Sequence, residues 1–139
     1  MNDQPLENLK LACRDRGLPL TAQRRIVFES LVGRHDHPTA DQIYDQVRDS
    51  LPDFSRATVY RVLSTLVEWG LAQKVSCTDR GARFDGKTDN HHHLVCRSCD
   101  AIVDTEADFP IPSRRPKGFR IEGTSVVFHG ICSDCSEKK

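Results

Sequence analysis

The sequence has no long hydrophobic run. No apolar stretch approaches the roughly 18 residues that a membrane-spanning helix needs, so we do not expect a membrane protein. The N-terminal stretch MNDQPLENLK is acidic and polar, which is not the pattern of a secretory signal peptide. We therefore expect a cytoplasmic protein, in which thiols stay reduced and the six cysteines favour metal binding over disulfides.

An excess of basic charge is also missing. Lys and Arg together number 20, Asp and Glu together number 20, and the formal net charge is +0. Because the charges balance in both halves of the chain, bulk charge does not indicate a nucleic-acid-binding protein. Any contact with DNA has to come from a local basic patch.

The chain shows no internal repeat and no low-complexity tract, and its 139 residues suit one compact domain or two small ones. Apolar periodicity predicts a first helix over 6–16, and Thr21, Thr39 and Ser55 are predicted N-caps of three more. The last of these helices, in FSRATVYRVLSTLVEWGL, is followed by two predicted strands in LAQKVSC and ARFDG. This order predicts a winged helix-turn-helix domain.

The rest of the chain is predicted to be rich in β-structure. NHHHLVC, AIVDT and FRIEGTSVVFHGIC are predicted strands, and the proline-rich ADFPIPSRRPKG is predicted to be a loop or a very short helix. This region has too little mass for an independent core, so we expect it to pair with a second copy of the chain. The predicted fold is α+β, with a winged-helix DNA-binding domain over 1–85, a hinge over 86–90 and a small α/β dimerisation and metal-binding domain over 91–139.

Four cysteines form two pairs with the spacing of zinc ligands. Cys96 and Cys99 form one Cys-x-x-Cys motif, and Cys132 and Cys135 form the other. A tetrahedral Zn²⁺ ion takes four thiolates, and each short turn offers two. We predict a structural zinc site here; the alternatives are two redox dithiols or thiols without a ligand.

A second candidate site contains nitrogen and oxygen ligands. On a strand His91 and His93 point to the same face, and Asp104 ends a neighbouring strand. Asp85 ends the predicted wing, and His37 precedes the third helix. Such a set suits Fe²⁺ or Mn²⁺ and would link the two domains as a metal switch. The alternatives are a solvated histidine string and, for Asp85, an ordinary turn residue.

The helix after Ser55 is the predicted DNA reader. In a helix-turn-helix, the N-terminal residues of the second helix face the major groove. We predict DNA contacts by Arg56, Thr58, Tyr60 and Arg61, with Arg24 on the backbone; the alternative is a solvated charged face. An enzyme is not expected, because no glutamate lies at helical spacing from the histidines and no nucleophile–base pair is evident.

Several motifs in order give the chain a specific resemblance. LTAQRRIVFESL, HPTADQIYDQVR, SRATVYRVLSTLVEWGL, RFDG, HHHLVCRSCDAIVD and GICSDC resemble the ferric uptake regulator (Fur) superfamily over nearly the whole length. Within it the chain looks most like the peroxide-sensing PerR branch, since Asp104 stands where iron-sensing members usually have glutamate. The resemblance implies a dimeric, metal-dependent repressor that binds operator DNA.

The branch also implies a site and a chemistry. Its regulatory ion, Fe²⁺ or Mn²⁺, would be bound by His37, Asp85, His91, His93 and Asp104. With Fe²⁺, hydrogen peroxide would lead to oxidation of His37 or His91 and to release of DNA. The alternative within the superfamily is an iron- or zinc-uptake repressor without peroxide chemistry. One departure is the short, proline-rich stretch where family members usually carry a helix, which we expect to be lost or reduced.

Overall fold

The computed structural model describes residues 4–78, 81–86, 92–106, 112–124 and 126–137. The chain divides into two compact units, Met1–Thr88 and Asp89–Lys139. No helix within the described ranges is long and apolar enough to cross a membrane. Helices and small sheets occur in the same chain, which confirms the predicted α+β class.

The first unit consists of four helices and a β-hairpin. The helices are α1 (Gln4–Asp15), α2 (Ala22–Val32), α3 (Ala40–Val47) and α4 (Arg56–Glu68). Strands β1 (Gln73–Thr78) and β2 (Gly81–Asp85) pair antiparallel, from Gln73 opposite Asp85 to Thr78 opposite Gly81. The hairpin is the predicted wing.

Short-range signals decide where three helices begin. The side chains of Thr21, Thr39 and Ser55 accept hydrogen bonds from backbone N–H groups three residues on, which confirms all three N-cap predictions. At Thr39 the contact is reciprocal, because the Gln42 side chain accepts from the Thr39 N–H at 2.9 Å. Such a capping box satisfies two amide groups that a helix otherwise leaves without a partner.

The core of the first unit lies where its helices meet. On α4 an apolar stripe is buried at Val59, Val62, Leu63 and Leu66, while Val67 is half-buried. Phe28 on α2 joins this core although it was not predicted to do so. Burying one large aliphatic side chain contributes about 1.5–3 kcal/mol, so this core is the main source of stability of the unit.

The second unit holds a three-stranded sheet in the order β4-β3-β5. Strands β3 (His92–Cys96) and β4 (Ile102–Thr105) are antiparallel, with His93 opposite Asp104. Strand β5 (Val127–Gly130) lies parallel to β3 on its other side. A single helical turn, α5 (Ser133–Ser136), follows and was not among the predicted elements.

One predicted strand is much shorter than expected. The prediction FRIEGTSVVFHGIC was wrong for 119–124, which is not strand; among its described residues, Val127–Gly130 form the paired strand. A run of β-prone residues becomes a strand only where a neighbour pairs with it, and the described pairing of β5 with β3 begins at Val127 opposite His93. Residues 112–118 form no helix, and the remainder of the proline-rich stretch, 107–111, lies outside the described residues.

Candidate metal centres and nucleic-acid interface

Four cysteine sulfurs meet in the second unit. Cys96 ends β3, Cys99 lies in the turn that follows, and Cys132 and Cys135 lie at α5. Their Sγ atoms are all within 4.8 Å of one another, and Cys99 Sγ and Cys132 Sγ are 3.8 Å apart. Tetrahedral Zn–S bonds of about 2.3 Å place sulfurs about 3.8 Å apart. The four thiols therefore fit one zinc ion.

Backbone amides turn towards the sulfur of Cys96. The Cys132 N–H donates to Cys96 Sγ at 3.3 Å. Hydrogen bonds from the backbone of Cys132 and then Cys99 lower the pKa of Cys96 to about 6. The lowered pKa favours the thiolate, which is the form that binds metals. Asp100, at φ 62°, closes the turn with an N–H that donates to the Cys96 carbonyl at 2.8 Å.

The first unit carries a buried histidine–aspartate pair. His37 lies in the loop before α3 and Asp85 ends β2, and both side chains are buried. His37 Nε2 and Asp85 Oδ2 are 3.4 Å apart. Gly86 follows Asp85 so close to α2 that an added Cβ would lie 3.1 Å from Val32 Cα. The absence of a side chain there lets the end of β2 pack against α2.

The backbone of His37 is strained. Its φ of 53° lies in the left-handed region, although it is neither glycine nor asparagine. A non-glycine residue held in that region costs about 1–3 kcal/mol and persists only where the surroundings over-determine it. Histidine, asparagine and aspartate adopt this region more readily than other non-glycine residues, and positions of this kind cluster at functional sites.

The second unit carries a similar pair. His93 on β3 faces Asp104 on β4 in register, with His93 Nε2 and Asp104 Oδ1 3.4 Å apart. His93 is 1 % exposed. His92, on the other face of the strand, accepts a hydrogen bond at Nδ1 from the Val126 N–H at 3.1 Å. The predicted ligand His91 lies outside the described residues.

The separations in both pairs suit ligands of a metal ion. Nitrogen and oxygen ligands bound at about 2.0–2.2 Å lie about 3.0–3.4 Å apart at angles of about 90–109°. Each pair, at 3.4 Å, matches that spacing and is longer than an ordinary N–H···O hydrogen bond. Each pair therefore offers two ligand atoms that fit one ion.

The predicted DNA-reading residues lie on α4 and α2. Tyr60 and Arg61 are exposed, and Thr58 is half-buried against the cap. Arg56 donates to Asp41 Oδ1 at 2.7 Å and lies over the Tyr44 ring. The Asp41 carboxylate therefore competes with a phosphate for this guanidinium.

A groove of about 140 Å³ separates the start of α2 from α4. Hydroxyl and cationic side chains dominate its lining, which comprises Thr21, Gln23, Arg24, Thr58, Arg61, Val62 and Thr65. Arg24 also stacks on Trp69, as does Arg16, with guanidinium carbons 5.5 and 4.6 Å from the ring centre. No local pattern in the sequence indicates this role of Trp69, because only the tertiary fold brings these three side chains together.

Most of the chain matches the sequence model of a known family. The family model of the ferric uptake regulator family matches residues 15–132. The chain belongs to the ferric uptake regulator family. It is therefore a metal-responsive transcriptional regulator, and the resemblance read from the sequence is confirmed.

Known relatives agree with this assignment. The chain is 31% identical to the peroxide-responsive repressor PerR of Staphylococcus saprophyticus, over 98% of this chain and 95% of that protein. Its fold is similar to the Helicobacter pylori ferric uptake regulator (TM-score 0.78, 20% identity, 96% and 93% covered). It is also similar to a zinc uptake regulator solved with zinc and DNA (TM-score 0.66, 23% identity, 98% and 95% covered).

Proposed function

We propose that this protein is a metal-dependent repressor that binds operator DNA as a homodimer and is inactivated by hydrogen peroxide. The observation that carries the proposal is the pair of half-sites, each a histidine 3.4 Å from an aspartate oxygen. In the second half-site the aspartate is Asp104. Iron-sensing members of the family usually have glutamate at this position, so the aspartate favours peroxide sensing. The similarity to PerR over nearly the whole chain supports the same function.

The regulatory ion would be bound by both half-sites at once. We assign His37, Asp85, His91, His93 and Asp104 as its ligands, a nitrogen and oxygen set that suits Fe²⁺ or Mn²⁺. Because the first two belong to one unit and the others to the second, a shared ion would fix the angle between DNA reader and dimer platform. Metal binding would then favour the DNA-binding arrangement over the others.

The peroxide response would act through a ligand. Bound Fe²⁺ would supply the redox chemistry for the net reaction of hydrogen peroxide with a histidine, in which one peroxide oxygen enters the imidazole ring and the other leaves as water. The strained, buried His37, or His91, would gain one oxygen atom on its imidazole and lose its capacity as a ligand. The affinity of the site for its metal ion would fall, and the angle between the two units would no longer be fixed. The dimer would then dissociate from DNA. Mn²⁺ would support DNA binding without this reaction.

The sulfur cluster would have a separate and structural task. We assign Cys96, Cys99, Cys132 and Cys135 to a zinc ion that joins the C-terminal segment to the sheet. A closed set of four thiolates leaves no open position for chemistry. Zinc is therefore expected to remain bound throughout the peroxide response.

DNA would be bound by the face of α4 that carries Tyr60 and Arg61. Thr58, Arg56 and Arg24 would complete the contact, with Arg24 on the phosphate backbone. The zinc uptake regulator of similar fold was solved with DNA, which supports a nucleic-acid partner for this fold. A two-fold dimer would present two such helices to two half-sites.

Mass spectrometry of digested protein tests the peroxide response. The zinc-loaded dimer is charged with Fe²⁺, treated with micromolar hydrogen peroxide, and cleaved with trypsin. The peptide 35–48 contains both His35, which is exposed, and His37, which is buried. We expect one added oxygen on His37 or on His91, none on His35, and loss of DNA binding in parallel. A Mn²⁺-loaded sample is the control and should remain unmodified.

Metal-uptake control is the second candidate, favoured by the fold similarity to the Helicobacter pylori regulator. It predicts DNA binding that follows metal concentration reversibly. Under the same treatment no histidine would gain oxygen, and DNA binding would return when metal is restored. That result would replace peroxide sensing with metal-uptake control.

A further inference from the structure

The loop that holds His37 is attached to the wing over residues 36–39. Strand β2 forms a backbone bridge between Arg83 and Thr39. The N–H of Phe84 donates to the Pro38 carbonyl at 2.9 Å. The loop is therefore an added, irregular edge of the hairpin, and its backbone follows β2.

Arg83 makes the most specific of these contacts. Its Nε donates to the carbonyl of His37, and its Nη2 donates to the carbonyl of Asp36 at 2.8 Å. The planar guanidinium thus spans two successive carbonyls of the loop, which a lysine ammonium cannot do with the same geometry. On the other side of the loop, Arg34 holds the Asp36 carboxylate at 2.6 and 2.9 Å.

Two residues of β2 act on the same histidine. Arg83 and Asp85 are two positions apart, so they lie on one face of the strand. Arg83 holds the backbone of His37, whereas the Asp85 carboxylate faces its imidazole at 3.4 Å. Because the backbone of His37 is at φ 53°, contacts of this kind are needed to keep it there.

We propose that Arg83 is a positioning residue for the regulatory metal ion. It fixes the left-handed backbone of His37 and thereby directs the imidazole to the ion beside Asp85. This inference rests on the proposed function, because His37 must be a ligand. Groups that orient metal ligands typically contribute 10–100-fold in metal affinity.

The test is Mn²⁺ binding by the zinc-loaded dimer without DNA. Free aqueous Mn²⁺ gives a six-line electron paramagnetic resonance signal that is lost on binding, so a titration yields the affinity directly. We expect Arg83→Met to weaken Mn²⁺ binding by about 10–100-fold. Arg48→Met, which removes an exposed arginine in the same unit, is the matched control and should bind as wild type.

A second variant separates positioning from folding and from charge. Arg83→Lys keeps the charge and the aliphatic stem but loses the two-carbonyl contact, so it should also weaken Mn²⁺ binding. Circular dichroism and thermal melting establish that each variant is folded. At saturating Mn²⁺, DNA binding by both Arg83 variants should return to the wild-type level, which a general loss of structure would not allow.

The outcomes distinguish two failures. If wild type and Arg48→Met bind Mn²⁺ and folded Arg83→Met or Arg83→Lys binds it within about two-fold of wild type, the positioning role is refuted and the proposed function stands. If the wild-type dimer binds no Mn²⁺ beyond its zinc, or if His37→Ala binds it normally, the regulatory site itself is refuted. The inference then falls with it.

Discussion

Loss of zinc should unfold the second unit and leave the first intact. The perturbation is Cys96→Ser, or removal of zinc with a strong chelator. Among the described residues of the second unit, only Val95, Cys96 and Ile102 are buried apolar side chains, against fifteen in the first. The second unit therefore has little hydrophobic core of its own.

The magnitudes favour zinc as the main support of this unit. Burial of Val95 and Ile102 contributes about 3–6 kcal/mol together, at about 1.5–3 kcal/mol each. Structural zinc contributes apparent free energies of about 10–16 kcal/mol in small zinc-binding domains. Since the zinc term exceeds the burial term of these described side chains, we expect zinc to be the main support of the unit's fold.

Calorimetry with zinc analysis measures the effect. The intact protein should contain one zinc per chain, and Cys96→Ser should lose both the zinc and the unfolding transition of the second unit. Cys13→Ala, at a cysteine buried in the first unit, is the control and should keep its zinc while lowering the stability of the first unit. A zinc-free protein that retains the second transition within a few degrees would refute the reasoning.

Three further substitutions test the first unit. Leu9→Ala should lower the free energy of unfolding by about 2–5 kcal/mol, because Leu9 is buried. Leu11→Ala on the same helix is the control; Leu11 is 42% exposed, so the free energy should change by less than about 0.5 kcal/mol. Equal effects of the two substitutions in denaturant titrations would contradict the assigned core. Ser55→Ala should cost about 1 kcal/mol through loss of the α4 cap, and Ser64→Ala, exposed within α4, should cost little or nothing in the same titrations. Arg61→Met should lower the slope of log affinity against log salt concentration by about one, the contribution of one phosphate contact, for binding to operator DNA selected in vitro. Its Mn²⁺ affinity should not change. An unchanged slope would show that Arg61 is not part of the DNA interface.

Local signals in the sequence were sufficient for part of the fold. Thr39 and Ser55 cap their helices through contacts three residues away, so their position can be predicted without knowledge of the tertiary structure. The strand predicted over 119–132 failed in its first half because β-propensity does not specify which residues find a pairing partner, and the partner β3 is distant in sequence. The turn α5 is too short for any periodicity to indicate it.

The candidate sites divide in the same way. Residue type and spacing were sufficient to predict the cysteines and histidines as ligands, because the side-chain type decides whether a residue can bind a metal ion. The left-handed backbone of His37 and the contacts of Arg83 could not be predicted in this way. They arise where β2 meets a loop that is 46 residues away in the sequence. His91 stays a prediction, because it lies outside the described residues.

The central claim is that one regulatory ion binds ligands from both units. Anomalous diffraction at the manganese edge, from crystals of the zinc-loaded dimer grown with Mn²⁺, tests it most directly. We predict one manganese per chain, bonded to imidazole nitrogens of His37 and His93 and to carboxylate oxygens of Asp85 and Asp104. A manganese held by residues of one unit alone, or two ions that bind His37 and His93 separately, would contradict the account.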